Sequence, residues 1–240
     1  MLKEVCDVFK EAYRRGWITT RDGNASLRRP EQDWFYVTPS AVRKNELIPE
    51  MCIKLDISDE GTSRDRWLAE NDGMLKQQLN RGLKPTGELP MHWLLQRKLH
   101  GRHARVVLHL HPTHVIAATR YLLAQAASSG YDDPTPQAKG VLMDLAQEYP
   151  EIFRYTRVGD VIGYIPPVTE ELGKAVATNM LVDRGAGTSG QLSCDVVSLD
   201  RHGAVSVGSD PWEAFEHQER LSHICEIFLA SRSKVHFYQS

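Results

Sequence analysis

Three histidines and one carboxylate are the residues of this chain best suited to chemistry. His109 and His111 stand two apart, closing the apolar run Ala104-Arg105-Val106-Val107-Leu108 and directly preceding Pro112 and Thr113. The run is rich in branched apolar residues and predicts a strand. Strand side chains two apart share a face, so both imidazoles can reach one metal ion. His202 follows about 90 residues later in the turn Arg201-His202-Gly203, and Glu88 sits in Thr86-Gly87-Glu88-Leu89-Pro90. Three neutral nitrogens, an open coordination position and a nearby acid are the parts of a catalytic zinc site. Blander readings stand beside this one. An HxH pair alone also fits one packed strand histidine and one solvated one, and a carboxylate in the first turn of a helix is favoured there by the dipole and the free amides. His202 strengthens the ligand reading, because a turn between two strands presents an imidazole at a sheet edge.

Other histidines compete. His92 lies four residues after Glu88 on the same expected helix and can neighbour it, and His114 begins the helix after Pro112. His100 and His103 fall in a basic surface segment, and His217, His223 and His236 lie in or after the last helix. A further set of small polar turns offers amides and hydroxyls: Asn24 after Gly23, Ser40 after Pro39, and Thr86-Gly87 before Glu88. Such groups can seat a phosphate, although small turn residues are common in any fold.

The elements that must position these residues follow from periodicity. A first amphipathic helix runs from about Leu2 to Arg15 and stops near Gly16. Strands are expected at Trp34–Thr38, Met51–Leu55, Val161–Pro166, Asp195–Leu199 and Ala204–Val207, with a hairpin-like turn at Asp59–Thr62. Helices are expected over Pro90–Leu99, Thr113–Ala127 and Thr169–Leu181, and a last one starts at Asp210-Pro211 with Glu213 three residues past the cap. Short strands joined by tight turns and mixed with helices predict an α/β (α+β) fold: a central mixed, mostly antiparallel sheet flanked by helices, as one domain over residues 1–240. The string Gly185-Ala186-Gly187-Thr188-Ser189-Gly190 follows a helix and precedes a strand, the reverse of a dinucleotide-binding turn, so it reads as a Gly-rich loop.

Composition narrows the partners. The 29 basic residues nearly balance the 31 acidic ones, for a net charge of −2, which argues against a nucleic-acid or anionic-membrane binder. No apolar run nears the roughly 20 residues that span a bilayer, and the first residues lack a signal-peptide core. Cys6, Cys52, Cys194 and Cys225 are far apart and never at CxxC spacing, so they read as reduced thiols of a cytoplasmic protein.

Five segments in order resemble the class II aldolase/adducin family, in its branch of rhamnulose- and fuculose-1-phosphate aldolases. They are Gly23-Asn24-Ala25-Ser26-Leu27-Arg28, Thr38-Pro39-Ser40, Glu88-Leu89-Pro90-Met91-His92, Val107-Leu108-His109-Leu110-His111 and His202-Gly203-Ala204-Val205-Ser206-Val207-Gly208. The resemblance implies a three-layer class II aldolase-like fold and zinc, one per subunit, on His109, His111 and His202. It implies Glu88 as catalytic acid/base, a phosphate seat on Asn24, Ser40, Thr86 and Gly87, and a homotetramer with sites at subunit interfaces. Glu148, with Glu151 close behind, is the candidate for an acid contributed by a neighbouring subunit. The implied activity is zinc-dependent cleavage of a ketose 1-phosphate to dihydroxyacetone phosphate and a short aldehyde. On the same scaffold the alternatives are a pentulose-phosphate 4-epimerase, a sugar-acid phosphate decarboxylase, a methylthioribulose-phosphate dehydratase and a metal-free adducin-like interaction module. The epimerase branch carries aspartate at the place of Glu88, and the interaction modules lack the full histidine set. Four departures bear on the substrate, the first being the unusually Gly-rich insert Arg184-Gly185-Ala186-Gly187-Thr188-Ser189-Gly190, which reads as either a mobile lid or a surface loop. Ala41 stands where the fuculose enzymes have a glycine, Thr86-Gly87 replaces a serine pair, and Tyr238 is only a candidate for a C-terminal tyrosine.

Overall fold

The computed structural model describes residues 1–30, 32–57, 82–99, 105–128, 140–182 and 191–232. The turn expected at 59–62, His100, His103, the Gly-rich string 185–190, His236 and Tyr238 lie outside the described residues. In chain order the elements are α1 (Leu2–Arg14), β1 (Asn24–Arg28), β2 (Trp34–Val37), β3 (Ile53–Asp56), α2 (Leu89–Lys98), β4 (Arg105–Leu110) and α3 (Thr113–Ser128). Then come α4 (Val141–Gln147), α5 (Pro150–Tyr155), α6 (Glu170–Met180), β5 (Leu181–Val182), β6 (Gln191–Leu192), β7 (Val196–Leu199), β8 (Gly203–Gly208) and α7 (Pro211–Arg232).

Six strands form one sheet in the order β3-β2-β1-β4-β8-β7, and each neighbouring pair is antiparallel. Parallel pairing is confined, among the described residues, to isolated bridges of Val158 with Val196 and Ile162 with Leu199. The strand expected over Val161–Pro166 is therefore not one. The backbone meets the β7 edge through Gly159 N–H to Val196 O and Ile162 N–H to Ser198 O, and then leaves it before Pro166 and Pro167, which have no N–H for a ladder. The strand expected from Met51 starts at Ile53 instead, because Pro49–Met51 form a short 3-10 turn.

Alternation on β4 sorts the two faces of the sheet. Val106, Leu108 and Leu110 join a core with Val8 and Phe9 of α1 and Phe215 of α7. Val107 joins the opposite core with Leu95 of α2 and Val176 of α6. His109 has the parity of Val107 and so faces α2. Helices α2 and α6 thus cover one face, and α1, α3 and α7 the other, giving three layers. Gly173 of α6 lets α2 come close: a Cβ there would lie 3.0 Å from the Met91 amide nitrogen. The start of α7 follows its sequence signal. Asp210 Oδ1 accepts from the amides of Trp212 at 2.8 Å and Glu213 at 2.9 Å.

Candidate active site

His109 lies in the buried part of β4, where its Cα pairs with Asn24 of β1 on one side and Val205 of β8 on the other. Its ring is fully buried, and Nδ1 lies 3.0 Å from the Ala204 carbonyl. A carbonyl only accepts, so Nδ1 carries a proton, and in the neutral ring it is Nε2 that presents the lone pair. His111 lies just past the strand, with its amide donating to the Trp17 carbonyl at 3.1 Å. The two Nε2 atoms are 3.0 Å apart. His202 enters from the β7–β8 turn, where Arg201 adopts a left-handed φ of 61° and Leu199 pairs with Gly203. Gly203 is required there: its φ is 149°, and a Cβ would strike the Leu110 carbonyl and the His111 ring.

The ring nitrogens of His109, His111 and His202 lie within 4.8 Å of one another. Burial, reinforced by His109, pushes the His111 pKa down to about 3 and that of His202 to about 4. Both are neutral at pH 7, the form that ligates a metal. Two nitrogens about 2.0–2.1 Å from one tetrahedral ion sit about 3.3 Å apart, near the 3.0 Å between the Nε2 atoms of His109 and His111. Glu88 Oε1 and His202 Nδ1 are buried and have no hydrogen-bond partner among the described residues. Three convergent imidazoles beside an orphaned carboxylate oxygen fit a divalent cation.

Glu88 is the N-cap of α2, yet its side chain makes no cap bond. The carboxylate instead accepts from Asn24 Nδ2 at 2.8 Å and lies 3.3 Å from His109 Nε2 and 3.4 Å from His202 Nε2. Burial raises its pKa, but His109, the Asn24 bond and His202 together outweigh burial and hold it below the ordinary range. Glu88 is thus an ionised, nearly dry carboxylate facing the histidines.

The small polar turns also converge. Ser40 N–H donates to Lys84 O at 2.7 Å, Thr86 N–H to Thr38 O at 3.2 Å, and Pro39 bridges Pro85, so the two turns run side by side. Ala41 has a φ of 59°, the left-handed backbone that a glycine adopts most easily. Gly87 lies under Val168, whose Cγ1 would be 3.0 Å from a Cβ at position 87. Asn24 is different, because its amide is already bonded to Glu88 and to His92, leaving one N–H over. Glu148 is exposed at the end of α4 and is not among the groups whose charge bears on the cluster histidines. Asp22, read from sequence only as part of a turn, does act on His111 and His202. Its one sequence signal is its place two residues before Asn24.

Solved structures of similar fold include two named as aldolases. The l-fuculose-1-phosphate aldolase of Thermus thermophilus superposes with a TM-score of 0.63 at 19% identity, over 96% of this chain and 93% of that one. A sugar-phosphate aldolase from Thermotoga maritima gives 0.61 at 17% identity, over 95% and 93%. Among curated sequences, the methylthioribulose-1-phosphate dehydratase of Komagataella phaffii is 24% identical over 94% of this chain and 80% of its own length. The enzyme of the same name from Salmo salar is 35% identical, over 26% of this chain and 23% of its own. With the family of the class II aldolase and adducin N-terminal domain matching residues 3–229, the chain belongs to that family.

Proposed function

We propose that this protein is a metal-dependent lyase acting on a ketose 1-phosphate, and that it removes water from methylthioribulose 1-phosphate. The observation that carries the lyase reading is Glu88, ionised and buried within 3.4 Å of two of three clustered imidazoles. The substrate class rests on the dehydratases, one of which aligns with 94% of the chain. A divalent ion, zinc by the donor set, held by His109, His111 and His202 would supply Lewis acidity to the substrate carbonyl.

The residues of the chain account for the rest. Ser40, Thr86, Gly87 and the spare Asn24 N–H seat the phosphate. Glu88 takes the proton from C3, the carbon next to the C2 carbonyl. The C4–O bond breaks, the hydroxyl leaves with a proton as water, and a C3–C4 double bond forms. The enol then becomes a 2,3-diketone. Positioned proton transfer of this kind is typically worth about 10²–10⁴-fold.

Retro-aldol cleavage is the second reading, favoured by the segment Glu88-Leu89-Pro90-Met91-His92, which resembles the rhamnulose type. It uses the same carboxylate in the other direction. O4 loses its proton, the C3–C4 bond breaks, and Glu88 relays a proton from solvent to C3. Glu148 from a neighbouring subunit of a homotetramer would act at O4.

The test is to incubate the zinc-loaded protein separately with methylthioribulose 1-phosphate and rhamnulose 1-phosphate. A diketone trapped by an aromatic diamine, without dihydroxyacetone phosphate, is the expected result. Dihydroxyacetone phosphate from either substrate establishes the aldolase instead, and neither product from zinc-loaded protein rejects both.

A further inference from the structure

Between α2 and β1 runs a buried polar seam. Glu88, His92 and Gln96 are four apart on or capping a helix, and Asn24 and Ser26 are two apart on a strand. Four helical residues rise about 6 Å and two strand residues about 6.6 Å, so the two rows stay in step when the elements lie side by side. Each row meets the other in hydrogen bonds. Gln96 Nε2 donates to Ser26 Oγ at 2.9 Å and to the Arg105 carbonyl at 3.2 Å. Ser26 Oγ lies 2.8 Å from His92 Nδ1, His92 Nε2 lies 2.5 Å from Asn24 Oδ1, and Asn24 Nδ2 donates to Glu88 Oε2 at 2.8 Å.

The proton positions in this seam follow from its two ends. Both Gln96 Nε2 hydrogens are used, so Ser26 Oγ accepts one of them and has its own hydrogen free to give. His92 Nδ1 receives it, which leaves the imidazole proton on Nε2, pointing at Asn24 Oδ1. At the other end a carboxylate can only accept, so the Asn24 amide must turn its NH₂ to Glu88 and its oxygen to His92. Both assignments agree at the His92–Asn24 contact. His92 and Gln96 have no exposure to solvent that could rescue a broken link.

We infer that His92 is a positioning residue: its Nε2–H fixes the orientation of the Asn24 amide, which in turn holds the Glu88 carboxylate on its reacting line. The inference rests on the proposed role of Glu88. Without the His92 proton the Asn24 amide is free to turn its oxygen toward Glu88, and the carboxylate loses its neutral donor. His92 touches no reacting atom in this account.

The experiment compares wild type, H92L, H92Q, N24A, the double variant N24A/H92L and E88Q in water loss from methylthioribulose 1-phosphate, with bound zinc measured for each. H92L is expected to lose about 10–100-fold in kcat with KM and zinc content unchanged, the range of an outer residue that orients an active group. H92Q, which can donate to Asn24 and accept from Ser26, recovers most of that loss. The double variant is no slower than N24A, because His92 acts through Asn24. Losses that multiply, or an H92Q as slow as H92L, overturn the inference while leaving the role of Glu88 intact. Near-normal turnover by E88Q overturns the role of Glu88 itself. A readout independent of turnover and of H92L folding is the ¹⁵N spectrum of histidine-labelled wild type, with the His92 signal identified by its loss in H92Q. A neutral ring protonated on Nε2 is expected, and one protonated on Nδ1 overturns the inference.

Discussion

The Nε2 atoms of His109 and His111 face each other across 3.0 Å. With Nδ1 of His109 committed to the Ala204 carbonyl, only a shared proton or a cation between the two Nε2 atoms can satisfy both rings. Chelation should therefore remove activity, and zinc should restore it. H109A, H111A and H202A should each lose bound zinc and at least about a hundredfold in turnover, since even outer partners of such ligands cost 10–100-fold. Metal analysis after dialysis checks this. Full zinc retention by all three variants would place the ion elsewhere.

Glu88→Gln keeps the shape of the side chain and its acceptor for Asn24, but removes the charge beside His109 and His202. Turnover should fall about 10²–10⁴-fold with zinc retained. In heavy water the wild type should also exchange the C3 hydrogen of a substrate whose later steps are slow, and E88Q should not. Mass spectrometry of recovered substrate reads this directly.

Gly87 backs onto Val168, and a Cβ would come within 3.0 Å of its Cγ1. G87A should raise KM for the phosphorylated sugar about tenfold or more by displacing the turn, with a smaller change in kcat. Ala41, by contrast, already has the φ of 59° that glycine adopts freely. A41G should not lower the melting temperature, because the left-handed penalty of about 1–2 kcal/mol outweighs the entropy a glycine loses on folding. A fall of several degrees in A41G would contradict this.

Besides the clustered histidines, His92 and Lys44 are two buried bases that contribute to the pH dependence of stability. Burial holds His92 at about 3 against 6.5 for a free imidazole. Between those values the unfolded chain binds more protons than the folded one, so stability is lost as pH falls from 6.5 toward 3. H92Q should show a shallower decline over that window. Lys44 is buried with Nζ donating to the Pro39 carbonyl at 2.8 Å, and burial lowers its pKa to about 8 from 10.5. The folded state again binds fewer protons between those values, so stability rises from pH 8 to 10.5 as a buried charge is released. K44M should flatten that rise. Thermal melts across pH check both, and an unchanged slope in either variant contradicts its assignment.

The local features were legible in the sequence. The Val-rich run before His109, the cap at Asp210 and the periodicity of Leu2–Arg15 are each decided by neighbours within a few residues, and the structure places β4, α7 and α1 there. The convergence of the three histidines was legible too, because a strand fixes the spacing of two of them and a hairpin turn presents the third. What stayed hidden depends on how distant elements lie against each other. Asn24 reads as a turn residue for phosphate, yet its side chain is bonded to Glu88 and His92 because α2 lies along β1. Likewise Val161–Pro166 has the composition of a strand, but only its start reaches the β7 edge. A missing strand partner leaves no mark in a segment's own residues.

The three histidines come from β4, from the residue just past its end and from the turn before β8, neighbours in the sheet but roughly ninety residues apart along the chain. An ion held by all three would act as a reversible cross-link closing that long loop, and it would have almost no counterpart in the unfolded chain. The site would then double as a fastener of the sheet's middle. Its contribution to stability would grow with the logarithm of free metal, and loss of the ion would release the cross-link between β4 and the turn before β8.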